Sequence, residues 1–230
     1  MTSRDEILME YFEETYRNYL FNGNNLQSVG INWFERQIEK YFERNIGSLE
    51  KVLELGGGQG EHLRFLSGFP TEYYSLDLRP VNLSKKSEFR NVVFVQGDAE
   101  RLPFEDEFFD RVFSTCLLHH VGDPLQVMNE ARRVTKPGGE IAFLLPTDPG
   151  FLNSLIKRTI SFRSLQKLSR YSPNLLYSLS HPNSILKLIH IFDFAFKNDL
   201  QKKYFRPFFI HSVNWNLAVV LKVKKNSLKP

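Results

Sequence analysis

Apolar residues recur at helical spacing from the start of the chain. Ile7, Leu8, Tyr11, Phe12, Tyr16, Tyr19 and Leu20 predict a helix within 3–20. Ile31, Trp33, Phe34, Ile38, Tyr41 and Phe42 predict a second over about 31–45, with FNGNNLQSVG as the loop between them. At Lys51 the period changes. KVLEL is a short apolar run ending in GGGQG, and EHLRFLSG after it reads as helix. TEYYSLD, NVVFVQ, FDRVFST and EIAFLLP read as further strands. Between the last two, GDPLQVMNEARRVT reads as a helix that starts at Asp123-Pro124 and stops before Lys136-Pro137-Gly138-Gly139. Strands alternating with helices imply an α/β fold with a parallel sheet and right-handed crossovers.

The alternation pauses after Pro146. Residues 151–170 set Leu152, Leu155, Ile156, Ile160 and Leu168 against Lys157, Arg158, Arg163, Lys167 and Arg170, an amphipathic basic stretch. NSILKLIHIFDFA predicts another helix at 184–196. RPFFIHS and NLAVVLKV, linked around VNWN, read as an antiparallel hairpin. The expected organisation is an N-terminal helical cap over 1–45, a core over 46–146 and 205–225, and an inserted helical lid over 147–204.

Charge sharpens this division. Residues 1–150 hold 16 Lys and Arg against 24 Asp and Glu, a net −8. Residues 151–230 hold 14 against two, a net +12. The basic part suits an anionic substrate, a membrane surface or nucleic acid. One cysteine, Cys116, excludes a disulfide scaffold and a multi-cysteine metal centre, and no metal is expected. No apolar run approaches the roughly 20 residues that span a bilayer, and MTSRDEILMEYFEE is too acidic for a signal peptide. The expected setting is the cytoplasm, at most peripheral to a membrane.

Three motifs carry chemistry. Glu54-Leu55-Gly56-Gly57-Gly58-Gln59-Gly60 follows the first strand, and Gly56, Gly58 and Gly60 let the backbone turn sharply and approach a ligand. The dinucleotide fingerprint fails, because Glu61 stands where its last glycine belongs. Asp77 ends the second strand, 19 residues after Gly58, where a carboxylate can accept both ribose hydroxyls. After the third strand, Asp98 can accept from an adenine amino group, and Ala99 leaves room for the ring.

ELGGGQG, YYSLD, GDAERLPFEDEFFDRVFS, LLHHVGDP and EARRVTKPGGEIAFLLP, in this order and spacing, resemble the class I S-adenosylmethionine-dependent methyltransferases, and most of all their type 11 small-molecule subfamily. The resemblance covers residues 50–146. It implies a Rossmann-like seven-stranded, mostly parallel sheet with an antiparallel last strand, helices on both faces and an extra helical cap. It implies S-adenosyl-L-methionine as cofactor and S-adenosyl-L-homocysteine as product. Glu54 and the 56–60 turn would hold the methionine end, Asp77 the ribose, Leu78 the adenine face, and Asp98 with Ala99 its polar edge. Thr115 to His119 would line the sulfonium side. Gly57 is a mild departure, since many relatives carry a larger residue there.

Methyl transfer from a sulfonium asks chiefly for in-line alignment, which supplies roughly 7–11 kcal/mol. A hydroxyl or ammonium acceptor must also lose a proton, and a base adds about 10²–10⁴-fold. His120 and His119, just after the fourth strand, are the candidate catalytic bases, with His120 favoured as pocket-facing. His62 begins the first core helix within reach of the cofactor, His211 sits near a strand tip on the same face, and His181 and His190 read as packing or surface. Tyr11, Tyr16 and Tyr19 are candidates to close the cofactor pocket. The acceptor is a small or medium molecule. The basic insert with RPFFIHSVNWNL also resembles methyltransferases found with bacterial surface-polysaccharide genes, which implies a sugar or anionic glycan-pathway intermediate. The alternatives are a lipid or quinone at a membrane surface, RNA modification, and cofactor binding without methyl transfer. RNA is disfavoured because Ser114-Thr115-Cys116-Leu117 stands where an Asn-Pro-Pro-Tyr-like motif would.

Overall fold

KVLEL forms β1 (Lys51–Leu55), and the next three apolar runs form β2 (Glu72–Asp77), β3 (Val92–Gln96) and β4 (Phe109–Thr115). These pair in parallel, and β5 (Thr135–Pro146) continues the parallel set beside β4. β7 (Ala218–Lys224) lies antiparallel between β5 and β6 (Leu200–Arg206). The strand order is β3-β2-β1-β4-β5-β7-β6. This is the seven-stranded, mostly parallel sheet with an antiparallel last strand that the sequence implies. The computed structural model describes residues 7–8, 26–43, 45–66, 68–80, 91–161 and 171–227. Tyr11, Tyr16, Tyr19, Phe162, Arg163, Lys167 and Arg170 lie outside them.

Central strands are buried on both faces, so they read as continuous apolar runs. On one face, α1 (Leu26–Glu39) packs Ile38 against Val52, Phe113, Leu144 and Val220. On the other, α2 (Pro124–Val134) packs Val127, Met128 and Ala131 into the core. Asp123 starts α2 by accepting a hydrogen bond from the Gln126 N–H, and Pro124 follows at the first turn, as the sequence predicts.

Two expectations need correction. EHLRF forms only a short 3₁₀ turn (Glu61–Phe65), with i→i+3 bonds from Leu63 to Gly60 and from Leu66 to Leu63. Gly68 and Pro70 then end any continuation. The hairpin strand is also displaced. β6 is LQKKYFR, and FFIHS belongs to the loop 207–217. Pro207 has no N–H for the ladder, and an edge strand tolerates Lys202 and Lys203, so charge hid the strand while apolar residues imitated one. The sheet therefore claims the first residues of β6 from the expected insert.

The insert builds α3 (Phe151–Ile156), α4 (Pro173–Ser180) and α5 (Ile185–Ala195). α5 is a full layer of the fold: Ile185, Leu188, Phe192 and the following Phe196 are buried in the core that α2 also covers. Loop 207–217 is tied to the start of α3. Leu152 N–H donates to the Asn214 carbonyl at 3.0 Å. A Cβ at Gly150 would collide with the Val213 and Thr147 carbonyl oxygens, so only glycine permits this approach. No described helix is long and apolar enough to cross a membrane.

Candidate functional site

A cleft of about 600 Å³ opens at the carboxyl ends of β1, β2, β3 and β4. That is where open parallel sheets bind ligands. Its first wall is the glycine turn. Gly56, Gly58 and Gly60 take φ of 74°, 55° and 82°, the left-handed region that side chains resist. Gly57 has no such φ but no spare room: a Cβ there would run into Ser75 Oγ and lie 2.8 Å from Glu54 Oε2. Space, and not backbone angle, therefore requires glycine here. The turn is pinned by Gly56 N–H donating to the Leu76 carbonyl (2.7 Å) and Gly58 N–H donating to Asp77 Oδ2 (3.0 Å).

Glu54 ends in this wall, 1% exposed, and accepts from the Tyr73 hydroxyl at 2.7 Å. Burial pushes its carboxyl up to about 7, against the opposing pull of His62 and the Tyr73 bond. His62 is buried between two carboxylates of α1, with Nδ1 3.0 Å from Glu35 Oε2 and Nε2 3.4 Å from Glu39 Oε1. Burial opposes its charge, but the two bonds outweigh burial, and its pKa rises to about 10. The imidazolium thus fastens α1 to the glycine turn. Sequence placed His62 near the cofactor but could not name its partners, 27 and 23 residues away.

Asp77 is buried at the tip of β2 and also accepts from the Arg79 backbone N–H (2.9 Å) and Nε (3.1 Å). Leu78 stands at the rim, 69% exposed, an apolar face for a flat ring. Asp98 is exposed in the wall and accepts from the Glu100 N–H in a tight turn, while Ala99 is buried beside it. Thr115 ends β4 in the same cleft. Cys116 then takes φ 57°, a strained backbone that redirects the chain past the reacting end. Burial pushes its thiol far up, so it is wall and not nucleophile. Glu61, the residue that breaks the dinucleotide fingerprint, accepts from the Gln59 N–H at 2.7 Å. Gly60 packs against Leu63 and Phe94 and shapes the turn from behind the lining residues.

His120 lines the cleft, as expected. Its Nδ1 lies 2.6 Å from the Ser180 carbonyl oxygen, an acceptor only, so Nδ1 carries the proton and Nε2 keeps the lone pair. Burial lowers its pKa and leaves it neutral at pH 7. His119 is buried and stacks on His181 at 5.1 Å. His181, expected to serve packing or surface only, comes from the end of α4 to stand 4.6 Å from the His120 ring. No local pattern marks it, because it meets His120 across some sixty residues of chain. His211 lies exposed in loop 207–217 against Phe205, and His190 is exposed on α5.

Residues 53–143 match the model of a family described as a methyltransferase domain. With the strand order and the cleft, that match likens residues 53–143 to the class I S-adenosylmethionine-dependent methyltransferase domain. Within the class, the matched model is that of the type 11 family, over 91 of the chain's 230 residues. The chain is 30% identical over 132 residues to the ubiquinone/menaquinone biosynthesis C-methyltransferase UbiE of Coxiella burnetii, covering 53% of this chain and 52% of that one. It is 28% identical over 186 residues to the protein of the same name from Legionella pneumophila, covering 74% and 72%. The matched region thus spans about half the length of the first of these relatives. A Pyrococcus horikoshii protein superposes with a TM-score of 0.61 at 22% identity, covering 94% of this chain and 99% of the other. An S-adenosylmethionine-dependent methyltransferase from Mesorhizobium loti does so at 0.58 and 16%, covering 84% and 98%. At these identities the structural matches establish the fold alone.

Proposed function

We propose that this chain moves a methyl group from S-adenosylmethionine to an apolar, ring-bearing acceptor held at a membrane surface, by in-line displacement. The cleft at the strand tips carries the first half of this reading. Its features fit the cofactor: a glycine turn without Cβ atoms, a buried carboxylate on each of two neighbouring strands, and the exposed Leu78. When bound, S-adenosylmethionine supplies an electrophilic methyl on a sulfonium with a neutral thioether as leaving group. Glu54 and the glycine turn hold the ammonium and carboxylate of the methionine end. Asp77 accepts the ribose hydroxyls, Leu78 covers the adenine and Asp98 accepts from its amino group. Thr115 to Leu117 direct the reacting end toward His120, whose Nε2 takes the acceptor's hydroxyl proton.

Loop 207–217 supports the acceptor half. Phe208, Phe209, Ile210 and Trp215 are 52%, 79%, 59% and 55% exposed, and Phe151 of α3 joins them with its ring 5.8 Å from Trp215. Arg206 lies 4.2 Å over the Phe209 ring. Clustered exposed aromatics beside cations suit an interface with anionic lipid. The quinone named for the relatives is an acceptor of this kind. The anionic-sugar reading rested on the basic stretch 151–170 together with RPFFIHSVNWNL, the segment that carries these exposed aromatics. Of the cations in 151–170, Lys157 is held by Asp148 at 2.5 Å and lies over the Tyr177 ring, and Arg158 is exposed. Incubation with a demethylated quinol in anionic vesicles should release S-adenosylhomocysteine. Phe209→Glu should abolish vesicle sedimentation and that turnover together. Turnover of a water-soluble sugar nucleotide, with none on the quinol, would overturn the membrane reading.

A further inference from the structure

His119, His120 and His181 meet where the β4–α2 loop touches the end of α4. One ring nitrogen of each lies within 4.8 Å of the others. The rings are held from outside. His120 donates through Nδ1 to the Ser180 carbonyl at 2.6 Å, and His181 Nδ1 pairs with Ser180 Oγ at 2.7 Å. The Ser180 hydroxyl in turn lies 3.3 Å from the Tyr177 carbonyl, and the Tyr177 ring stacks on His181 at 4.3 Å. Such outer bonds fix tautomer and orientation in metal-bound histidines.

We propose that His119, His120 and His181 form a site for one late first-row divalent ion, of which zinc is the type, with its fourth position open to the cleft. Three imidazoles select zinc and its neighbours over magnesium or calcium, which prefer oxygen. A tetrahedral ion at about 2.0–2.1 Å needs its nitrogens about 3.3 Å apart, so the rings close by up to about 1.5 Å, within reach of side-chain rotation. Lys157, the cation that acts on His119 and His181, is neutralised by Asp148. His120 lines the cleft, so an acceptor hydroxyl can complete the ion's shell beside Thr115. The ion occupies the Nε2 lone pair with which His120 accepts a proton in the metal-free protein, so the two roles belong to different states of the site. The site does not rest on the methyl-transfer reading, and it is tested with the metal alone.

The full chain, stripped with chelator, should bind one equivalent of Zn²⁺ by calorimetry with micromolar or tighter affinity. Co²⁺ should give the intense visible absorption of a tetrahedral site. His119→Ala, His120→Ala and His181→Ala should each weaken binding at least tenfold, while His190→Ala, at an exposed position of α5, should not. One equivalent of Zn²⁺, but not Mg²⁺, should raise the melting temperature of the wild type. That last measurement decides the matter if a variant fails to fold. Substoichiometric uptake, octahedral Co²⁺ spectra, or unchanged affinity in a folded His181→Ala protein would each overturn the site.

Discussion

The two ends of the cleft are made differently. The cofactor end is backbone and carboxylate: a glycine turn, Glu54, Asp77 and Asp98, all within 45 residues and each fixed to a strand tip. The proposed acceptor end is imidazole, His120 of the β4–α2 loop backed by His181 from the end of α4, and the aromatic 207–217 loop lies beyond the residues that line the cleft. A ligand shared by a whole class of enzymes is held by features that strand geometry places. A ligand particular to one enzyme is held by side chains that only tertiary packing assembles. On the proposed function, the first end governs binding of the donor, and the second governs what is done with it.

The sharpest way to break this contrast is His120→Ala. Turnover at saturating cofactor should fall about 10²–10⁴-fold, with S-adenosylhomocysteine affinity unchanged by calorimetry. An equal loss in both would merge the two ends into one. Next comes His62→Ala, which strips one partner from a buried ion pair and should cost about 3–5 kcal/mol in denaturant unfolding. The native His62 pKa is raised from 6.5 to about 10. The folded state therefore binds more protons in that window, so the stabilisation is full below about pH 6.5 and is lost as pH rises toward 10. Stability of the wild type should fall over that range, and the variant should lack the slope.

Asp77→Ala should weaken cofactor binding by about 1.5–3 kcal/mol through the lost charge-assisted bonds. Turnover should recover once cofactor is saturating, the mirror image of His120→Ala. The smallest effect belongs to Glu54, whose pKa stands near 7. A cationic methionine end favours the ionised form, so cofactor affinity should rise by up to about tenfold from pH 6 to 8, with proton release. In Glu54→Gln that pH dependence should vanish.

The same contrast decides what could be read without a structure. β1, β2, β4 and α2 were legible because their apolar runs and caps are local, and Glu54, Asp77 and Asp98 because strand ends fix them. β6 was not, because an edge strand can be charged. The core role of α5 was hidden too, since Leu188 and Phe192 suit a lid and a structural layer equally well in one dimension. His181 and the Glu35–His62–Glu39 clamp needed contacts between distant segments. Cys116 carried no mark of its left-handed backbone.

Gly150 gives these differences a heritable form. Because the carbonyls of Val213 and Thr147 leave no space for even a methyl group, any other residue at 150 would push the start of α3 off the aromatic loop. A chimera grafting either piece alone from a cousin would inherit a mismatched seam, whereas transplanting both should carry the donor's substrate preference with it.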